Sequence, residues 1–188
     1  EITRLERLCE ELDVTAKVMV RVTTGVEAHT HEYIATAHED QKFGFSIGGG
    51  QALVALFRCQ HSPRLDLVGV HSHIGSQIFD TNGFEVAARR TLKLFAQFRE
   101  ATGTQLPELD LGGGFGIAYT KEDTPSSAAD LAAGLREIVR HECAGYGLTV
   151  PQLSIEPGRA LIGPSGTALY EVGTVKPVEL GSGLTRRY

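Results

Sequence analysis

The sequence contains few cysteines. The three present, Cys9, Cys59 and Cys143, are odd in number and widely spaced, and no C-x-x-C motif occurs among the 188 residues. This pattern argues against a disulfide framework and against a zinc ribbon. We therefore expect reduced, buried thiols without a nucleophilic role, and a cytoplasmic setting.

The sequence also lacks any cluster of lysine and arginine, and its formal net charge is -5. A negative chain without a basic patch is a poor partner for nucleic acid or for an anionic membrane surface. No apolar run approaches the roughly 20 residues of a membrane-spanning helix, and no signal peptide opens the chain. Because the first residue is not methionine, we expect that residues precede it.

What is present is a globular composition, 41% hydrophobic and 22% charged, in which strand-like and helix-like segments alternate. The predicted strands are residues 17–22, 42–47, 65–70, 108–111 and 152–155, and the predicted helices are residues 4–12, 49–60, 84–101 and 126–147. Gly103 is expected to end the third helix, Ser126 or Ser127 to begin the fourth, and Gly145 or Gly147 to end it. A longer β-segment is predicted over residues 167–180.

This alternation indicates parallel βα units. A complete (β/α)8 barrel takes roughly 250 residues, so the α/β fold that we predict is a partial (β/α)8 TIM-type barrel leading into the start of a C-terminal β-domain. Residues 1–165 are expected to form the central and C-terminal part of the barrel, and residues 166–188 to begin the second, β-rich domain. A smaller doubly wound sheet is the alternative.

Three motifs follow predicted strands, at the carboxyl ends where parallel sheets and barrels bind their ligands. The first is HSHIGSQ, residues 71–77. Three interpretations of it are open. His71 and His73 are half of a metal site, or one imidazole stacks on a flat ligand while the Ser76 hydroxyl binds an anion, or a histidine has a structural role in a turn.

The second motif is LDLGGGFG, residues 109–116, which places Gly112, Gly113 and Gly114 directly after a strand. Glycines remove side chains where another group must approach the backbone closely. Consecutive free N–H groups then form a phosphate-sized nest. The motif is not G-x-G-x-x-G and so does not predict a dinucleotide site. A flexible turn is the alternative interpretation.

The third motif is EPGR, in which Glu156 ends a strand and Arg159 follows a Pro-Gly turn. An ionised carboxylate at a partly buried strand end needs a positive partner. That partner is either Arg159 or a cationic group of a ligand, and in the second case Arg159 is free to bind an anion. A further histidine-rich stretch, residues 27–44 with His29, His31 and His38, fits no familiar metal-ligand spacing and is interpreted as a polar loop or a subunit contact.

Together the three motifs offer a phosphate nest, a ring-stacking imidazole and an acid for a ring nitrogen. Pyridoxal 5'-phosphate (PLP) has the matching phosphate, flat ring and basic pyridine nitrogen. We therefore expect PLP as the cofactor and no metal.

In this order and at these distances, HSHIGSQ, DLGGGFG and EPGR resemble the diaminopimelate decarboxylase family. These are PLP-dependent enzymes with an alanine-racemase-like barrel, called fold type III. VEAHTHEYIATAHEDQKFG and LYEVGTVK are similar to the actinobacterial branch of the family. The related ornithine and arginine decarboxylases share the Gly-rich and EPGR-like elements, whereas HIGSQ is closer to diaminopimelate decarboxylase.

The resemblance implies a cytoplasmic, homodimeric lyase of lysine biosynthesis. Its reaction is the decarboxylation of meso-2,6-diaminopimelate, a small amino acid, to L-lysine and CO2. The implied site residues are His73, which stacks on the PLP ring; Ser76, Gly112, Gly113 and Gly114, which bind its phosphate; Glu156, which pairs with the protonated ring nitrogen; and Gly158 and Arg159, which lie near the phosphate and a substrate carboxylate.

The family also uses residues that this sequence does not supply. It attaches the cofactor to a lysine in the first part of the barrel, and it takes a cysteine and tyrosines from the C-terminal domain, the cysteine across a dimer interface. None of the lysines of this sequence lies in the expected context. They are Lys17, Lys42, Lys93, Lys121 and Lys176. We therefore expect this chain to be an internal fragment that is inactive alone.

Three alternatives stay open. One is a decarboxylase of another basic amino acid, of the ornithine or arginine type. Another is a metal-dependent TIM-barrel hydrolase that uses His71 and His73. The last is a non-catalytic homologue that acts as a binding regulator.

Overall fold

The strands form one parallel sheet and one small antiparallel hairpin. The computed structural model describes residues 1–26 and 43–188. The strands within these residues are β1 (Ala16–Thr23), β2 (Phe45–Ser46), β3 (Leu65–Ser72), β4 (Glu108–Asp110), β5 (Gln152–Ser154), β6 (Pro177–Glu179) and β7 (Thr185–Arg187). The parallel sheet has five strands in the order β2-β1-β3-β4-β5, and β6 pairs with β7.

Helices alternate with the strands of the parallel sheet, as the sequence predicts. The helices are α1 (Ile2–Glu11), α2 (Gln51–His61), α3 (Asn82–Thr102), α4 (Ala128–Tyr146) and α5 (Gly158–Ile162), followed by a 3-10 turn at Gly163–Ser165. Within the described residues, five strands precede Gly163, as predicted. The histidine-rich stretch with His29, His31 and His38 lies outside the described residues, as does Lys42.

Glycine and serine set the helix ends where the sequence places them. α3 ends at Gly103, with φ 75°, and α4 ends at Gly147, with φ 62°. This left-handed conformation is open to glycine without steric cost. Ser127 begins α4, and its hydroxyl accepts a hydrogen bond from the Asp130 N–H. The cap satisfies one N–H group that the first helical turn leaves without a partner.

Two predictions about the C-terminal part are wrong. Of the β-segment predicted over residues 167–180, only Pro177–Glu179 forms a strand, because only these residues meet a partner strand, Thr185–Arg187. The EPGR motif was expected to be a turn, but its last two residues begin the helix Gly158–Ile162. The Pro-Gly pair indicates a turn, yet Pro157 occupies the N-cap position, where its fixed φ is tolerated.

One face of the parallel sheet carries the hydrophobic core. Val20 of β1 pairs with Val70 of β3, which pairs with Leu109 of β4, and all three are buried. The buried aromatic rings of α3, Phe95 and Phe98 among them, belong to the same cluster. Towards the carboxyl ends of these strands the opposite face carries polar side chains, so the two faces of the sheet differ in chemistry there.

The polar row depends on an irregularity between β1 and β3. Val18 pairs with Leu67, but the next residue, Met19, pairs with Gly69, so β3 has one extra residue, Val68, at this point. Beyond it, Arg21 pairs with His71, and His71 pairs with Asp110. Residues paired in register share a face of the sheet. The bulge therefore brings these three polar side chains into one row beside a buried core.

Among the helices of residues 1–26 and 43–188, none combines the length and the hydropathy required to cross a membrane.

Candidate functional site

The polar row ends at the carboxyl edge of the sheet, next to the predicted acid. Asp110 pairs in register with Ser154 of β5, and Glu156 lies two residues further along, on the same face. The Nε2 atom of His71 lies 3.4 Å from Oε2 of Glu156. The side chain of Glu156 is 55% exposed, whereas that of His71 is 17% exposed. The sheet thus fixes His71, and Glu156 projects from the edge with room for a ligand.

Arg159 does not pair with Glu156. Its Nη1 donates to Oε1 of Gln77 at 3.4 Å, and its guanidinium carbon lies 5.8 Å from the centre of the Tyr119 ring. No ion pair joins Glu156 to Arg159 among the described residues. Of the two partners that the sequence left open for Glu156, the neighbouring arginine is therefore not the one observed.

His73 lies where the loop after β3 meets the glycine run. Its Nδ1 accepts a long hydrogen bond, 3.4 Å, from the Gly113 N–H. Partial burial lowers the pKa of His73 below its ordinary value of 6.5, and the positive charge of Arg21 lowers it further, while Glu156 opposes the shift. The imidazole is thus neutral at physiological pH, with a flat face that suits stacking.

The pKa of His73 is lower in the folded protein than in the unfolded chain, where it has its ordinary value of 6.5. As pH falls below about 6.5, the unfolded chain binds the proton more readily, and we expect the free energy of unfolding to fall. His73→Gln should lose less stability than wild type between pH 7.5 and pH 5, roughly the range in which an ordinary histidine titrates. Chemical denaturation at both pH values measures the difference. His141→Gln, at an exposed position of α4, is the control. Parallel pH dependence of wild type and His73→Gln would contradict the assignment.

Neighbouring backbone atoms leave no room for a side chain at any position of the glycine run, Gly112 to Gly114. A Cβ atom on Gly112 would lie 2.3 Å from the Ser72 carbonyl oxygen, one on Gly113 would lie 2.3 Å from that of Glu156, and one on Gly114 would lie 2.1 Å from that of Gly75. The loops after β3, β4 and β5 therefore meet more closely than any side chain permits. The flexible-turn interpretation of the run is wrong, because a close approach requires each glycine.

The N–H groups of the run are only partly free. The Gly112 N–H donates to Asp110 Oδ1 at 2.7 Å, and the Gly113 N–H makes the long bond to His73. Neither the Gly114 N–H nor the Ser76 hydroxyl has a partner within the described part of the chain. The expectation of three consecutive free N–H groups is corrected accordingly: Asp110, two residues before Gly112, is close enough to accept the first one.

The geometry groups His71 with two carboxylates instead of with His73. One ligand atom each of His71, Asp110 and Glu156 lies within 4.8 Å of the others. His73 is not part of this cluster; it lies in the loop after β3, and its Nδ1 faces the Gly113 N–H. The interpretation that made His71 and His73 half of a metal site therefore differs from the grouping observed.

The cysteines lie away from this edge, within helices. Cys9, Cys59 and Cys143 are free and buried, as predicted. Burial raises the pKa of the Cys59 thiol and of the Cys143 thiol above the ordinary value, and nearby Glu6 and Glu142 add to the effect. A raised pKa disfavours the thiolate, which is the nucleophilic form.

Comparison with known proteins decides the family. Residues 1–163 match the family described as pyridoxal-dependent decarboxylase, pyridoxal binding domain. The chain belongs to this family. The diaminopimelate decarboxylase of Mycobacterium leprae is 51% identical over an alignment of 192 positions, which covers 100% of this chain and 41% of that protein. The one from Bacillus subtilis is 46% identical over 178 residues, which are 95% of this chain and 40% of that protein. The chain spans about two fifths of the length of these curated relatives.

A solved structure supports the same fold. The crystal structure of diaminopimelate decarboxylase from M. jannaschii, in co-complex with L-lysine, matches with a TM-score of 0.74 and 31% identity. The match covers 86% of this chain and 37% of that one. The predicted fold class, a partial TIM-type barrel, is confirmed, and the doubly wound alternative is not needed. Membership of the pyridoxal-dependent family confirms the predicted cofactor and removes the support for a metal-dependent hydrolase.

The donors and acceptors at this edge fit pyridoxal phosphate. Within residues 1–26 and 43–188, no arginine forms an ion pair with the Glu156 carboxylate, and the Ser76 hydroxyl and the Gly114 N–H have no hydrogen-bond partner. His73 presents a neutral ring. These are the groups that a pyridine nitrogen, an aromatic ring and a phosphate each require.

Three polar residues of this edge were not predicted from the sequence. In the sequence, Arg21 and Asp110 are polar residues of predicted strands. The register of β1, β3 and β4 places them beside His71. Gln77 is the last residue of the HIGSQ motif, and its position next to Ser76 is the sequence signal that could have indicated a role in the site.

Proposed function

We propose that this chain is the cofactor-binding part of a diaminopimelate decarboxylase, which converts meso-2,6-diaminopimelate to L-lysine and CO2. One observation carries the proposal: the carboxylate of Glu156 stands at the carboxyl end of the sheet, and Arg159 turns away from it to Gln77. The names of relatives that are 46–51% identical over nearly the whole chain support it.

In the proposed site, Glu156 holds a proton at the ring nitrogen of the cofactor. PLP supplies an electron sink for the carbanion that loss of CO2 leaves at Cα. A carboxylate at the ring nitrogen favours the protonated ring by Coulomb attraction and a charge-assisted hydrogen bond. His71, which is fixed by β3 and lies 3.4 Å from the carboxylate, orients it.

The remaining predicted residues orient the cofactor. His73, kept neutral, stacks on the face of the ring and adds no positive charge to it. Ser76 and the glycine run hold the phosphate, together with Gly158. The Arg159 guanidinium, free of Glu156, binds an anion, which is either the phosphate or a substrate carboxylate.

We further propose that residues 1–165 are barrel and that residues 166–188 begin a second, β-rich domain. The separate antiparallel pairing of β6 with β7 supports this division, as does the end of the family match at residue 163. The whole enzyme is proposed to be a cytoplasmic homodimer, and free, buried cysteines are consistent with a reducing compartment. Light scattering of the purified enzyme tests the dimer, and a monomer at micromolar concentration would refute it.

The test of the activity is an assay of a full-length protein that contains this chain, supplied with PLP. We expect lysine and CO2 from meso-2,6-diaminopimelate and little turnover of ornithine, arginine or lysine. We expect the 188-residue chain assayed alone to be inactive. Preferred turnover of ornithine or arginine would replace the proposed substrate, and PLP binding without turnover of any amino acid would favour a binding regulator.

A further inference from the structure

Gln77 combines a rare backbone conformation with three hydrogen bonds of its side-chain amide. Its φ is 59°, in the left-handed region that residues other than glycine seldom adopt. Its Nε2 donates to the Ile117 carbonyl oxygen at 3.0 Å, and its Oε1 accepts from the Ile117 N–H at 3.1 Å. Such a conformation persists in a folded protein when surrounding contacts compensate for its cost.

The side chain of Gln77 continues a set of hydrogen bonds between the loop after β3 and the loop after β4. Beside it, the Ile78 N–H donates to the Gly114 carbonyl oxygen at 2.9 Å, and the Gly116 N–H donates to the Ile78 carbonyl oxygen at 2.9 Å. Like a peptide group, the primary amide presents an N–H donor and a carbonyl acceptor side by side. The side-chain amide of Gln77 therefore adds a second pair of hydrogen bonds, to Ile117, beside the pair that the Ile78 backbone makes.

A third contact links the same amide to the loop after β5. The Oε1 atom that accepts from Ile117 also accepts from Nη1 of Arg159, at 3.4 Å. One half-buried side chain thus joins the segments that follow β3, β4 and β5. The three segments carry Ser76, the glycine run and Arg159 respectively.

We propose that Gln77 is a positioning residue for the phosphate end of the cofactor site. This inference rests on the proposed function, since it takes Ser76, the glycine run and Arg159 as the anion-binding groups. Gln77 itself does not touch the anion. It holds the Gly114–Ile117 stretch against the loop after β3 and holds the Arg159 guanidinium on the anion side, away from Glu156.

The test compares PLP with pyridoxal, which has the same ring and no phosphate, on the full-length apoenzyme. Gln77→Ala should weaken PLP binding by about tenfold or more, as expected for the loss of hydrogen bonds at a charged group. Pyridoxal binding should change by less than about twofold, because the ring contacts of His73 and Glu156 are kept. Titration by fluorescence or absorbance gives both dissociation constants.

The chain offers a matched control in Gln105. Its amide makes the same pair of bonds to one peptide unit, with Nε2 donating to the Thr149 carbonyl oxygen at 2.7 Å and Oε1 accepting from the Thr149 N–H at 2.9 Å. Gln105 and Thr149 precede β4 and β5, at the opposite edge of the sheet. Gln105→Ala should leave the ratio of PLP affinity to pyridoxal affinity unchanged.

If Gln77→Ala does not fold, Gln77→Glu is measured in the same way. It keeps the acceptor for Ile117 and Arg159 but sets a carboxylate oxygen against the Ile117 carbonyl oxygen, so a loss confined to PLP is again expected. Equal losses for PLP and pyridoxal, or none, would overturn the inference while the proposed function stands. A wild-type protein that binds neither compound would overturn both.

Discussion

Replacing Glu156 by glutamine in the full-length enzyme is expected to lower kcat by about 100- to 1000-fold, the range typical of losing one preorganised group that stabilises charge. Cofactor affinity should fall by less than about tenfold, because the phosphate contacts and the stacking ring are retained. The substitution keeps the shape of the side chain and removes its charge. In the proposed site, the variant would leave the proton at the ring nitrogen without the counter-charge of Glu156, which would weaken the electron sink that PLP supplies.

The expected split between kcat and affinity follows from where Glu156 stands. Its Oε2 atom lies 3.4 Å from Nε2 of His71, and more than half of its own side chain is exposed. The carboxylate therefore contributes little to holding the fold together, and its loss should appear in turnover.

The control for Glu156→Gln is Glu122→Gln, which removes the same charge from an exposed position in the loop after β4. Steady-state kinetics with diaminopimelate and PLP titration of the apoenzyme measure the two effects. Unchanged kcat in Glu156→Gln, or a loss confined to PLP affinity, would show that this carboxylate has no role in the chemistry.

The second large effect is expected for Gly113→Ala. A Cβ atom there would lie 2.3 Å from the Glu156 carbonyl oxygen, far inside the normal contact distance. Since the obstacle is backbone, β4 and β5 must move apart at their carboxyl ends. We expect the free energy of unfolding to fall by about 1–3 kcal/mol, as for other insertions into packed regions. PLP affinity should fall as well, because Glu156 moves with its backbone.

Gly145→Ala is the matched control for Gly113→Ala. Gly145 lies in the last turn of α4, and a Cβ atom there would meet nothing within 4 Å. Alanine should raise the free energy of unfolding by about 0.5–1 kcal/mol, because it reduces the freedom of the unfolded chain and favours the helix. Chemical denaturation of both variants checks the two signs. A neutral Gly113→Ala would mean that the loops after β4 and β5 do not meet as closely as described.

Local chemistry accounts for what the sequence predicts well. Gly103 and Gly147 end helices because glycine adopts a left-handed backbone without cost. The gathering of His73, the glycine run and Glu156 follows from parallel topology, which collects the carboxyl ends of all strands at one edge. These inferences need no knowledge of which strands are neighbours or of their register.

Long-range pairing accounts for what the sequence does not predict. Gln77 and Arg159 meet although 82 residues separate them, and nothing near either one indicates the other. The β-propensity of residues 167–180 is real, but a strand also needs a partner, and only Pro177–Glu179 has one. The helix after Glu156 was missed because Pro-Gly favours a turn and a helix start alike.

The bulge in β3 has a consequence for how this protein tolerates changes in length. The bulge absorbs one surplus residue, Val68, and beyond it Val70 points into the core and His71 points to the polar face. A chain that lacked Val68 would continue the ladder from the Val18–Leu67 pair directly to the Met19–Gly69 pair, so Val70 and His71 would keep their faces and only the bulge would be lost. Homologous sequences that are one residue shorter at this point are therefore expected to keep both the packing of the core and the row of polar side chains.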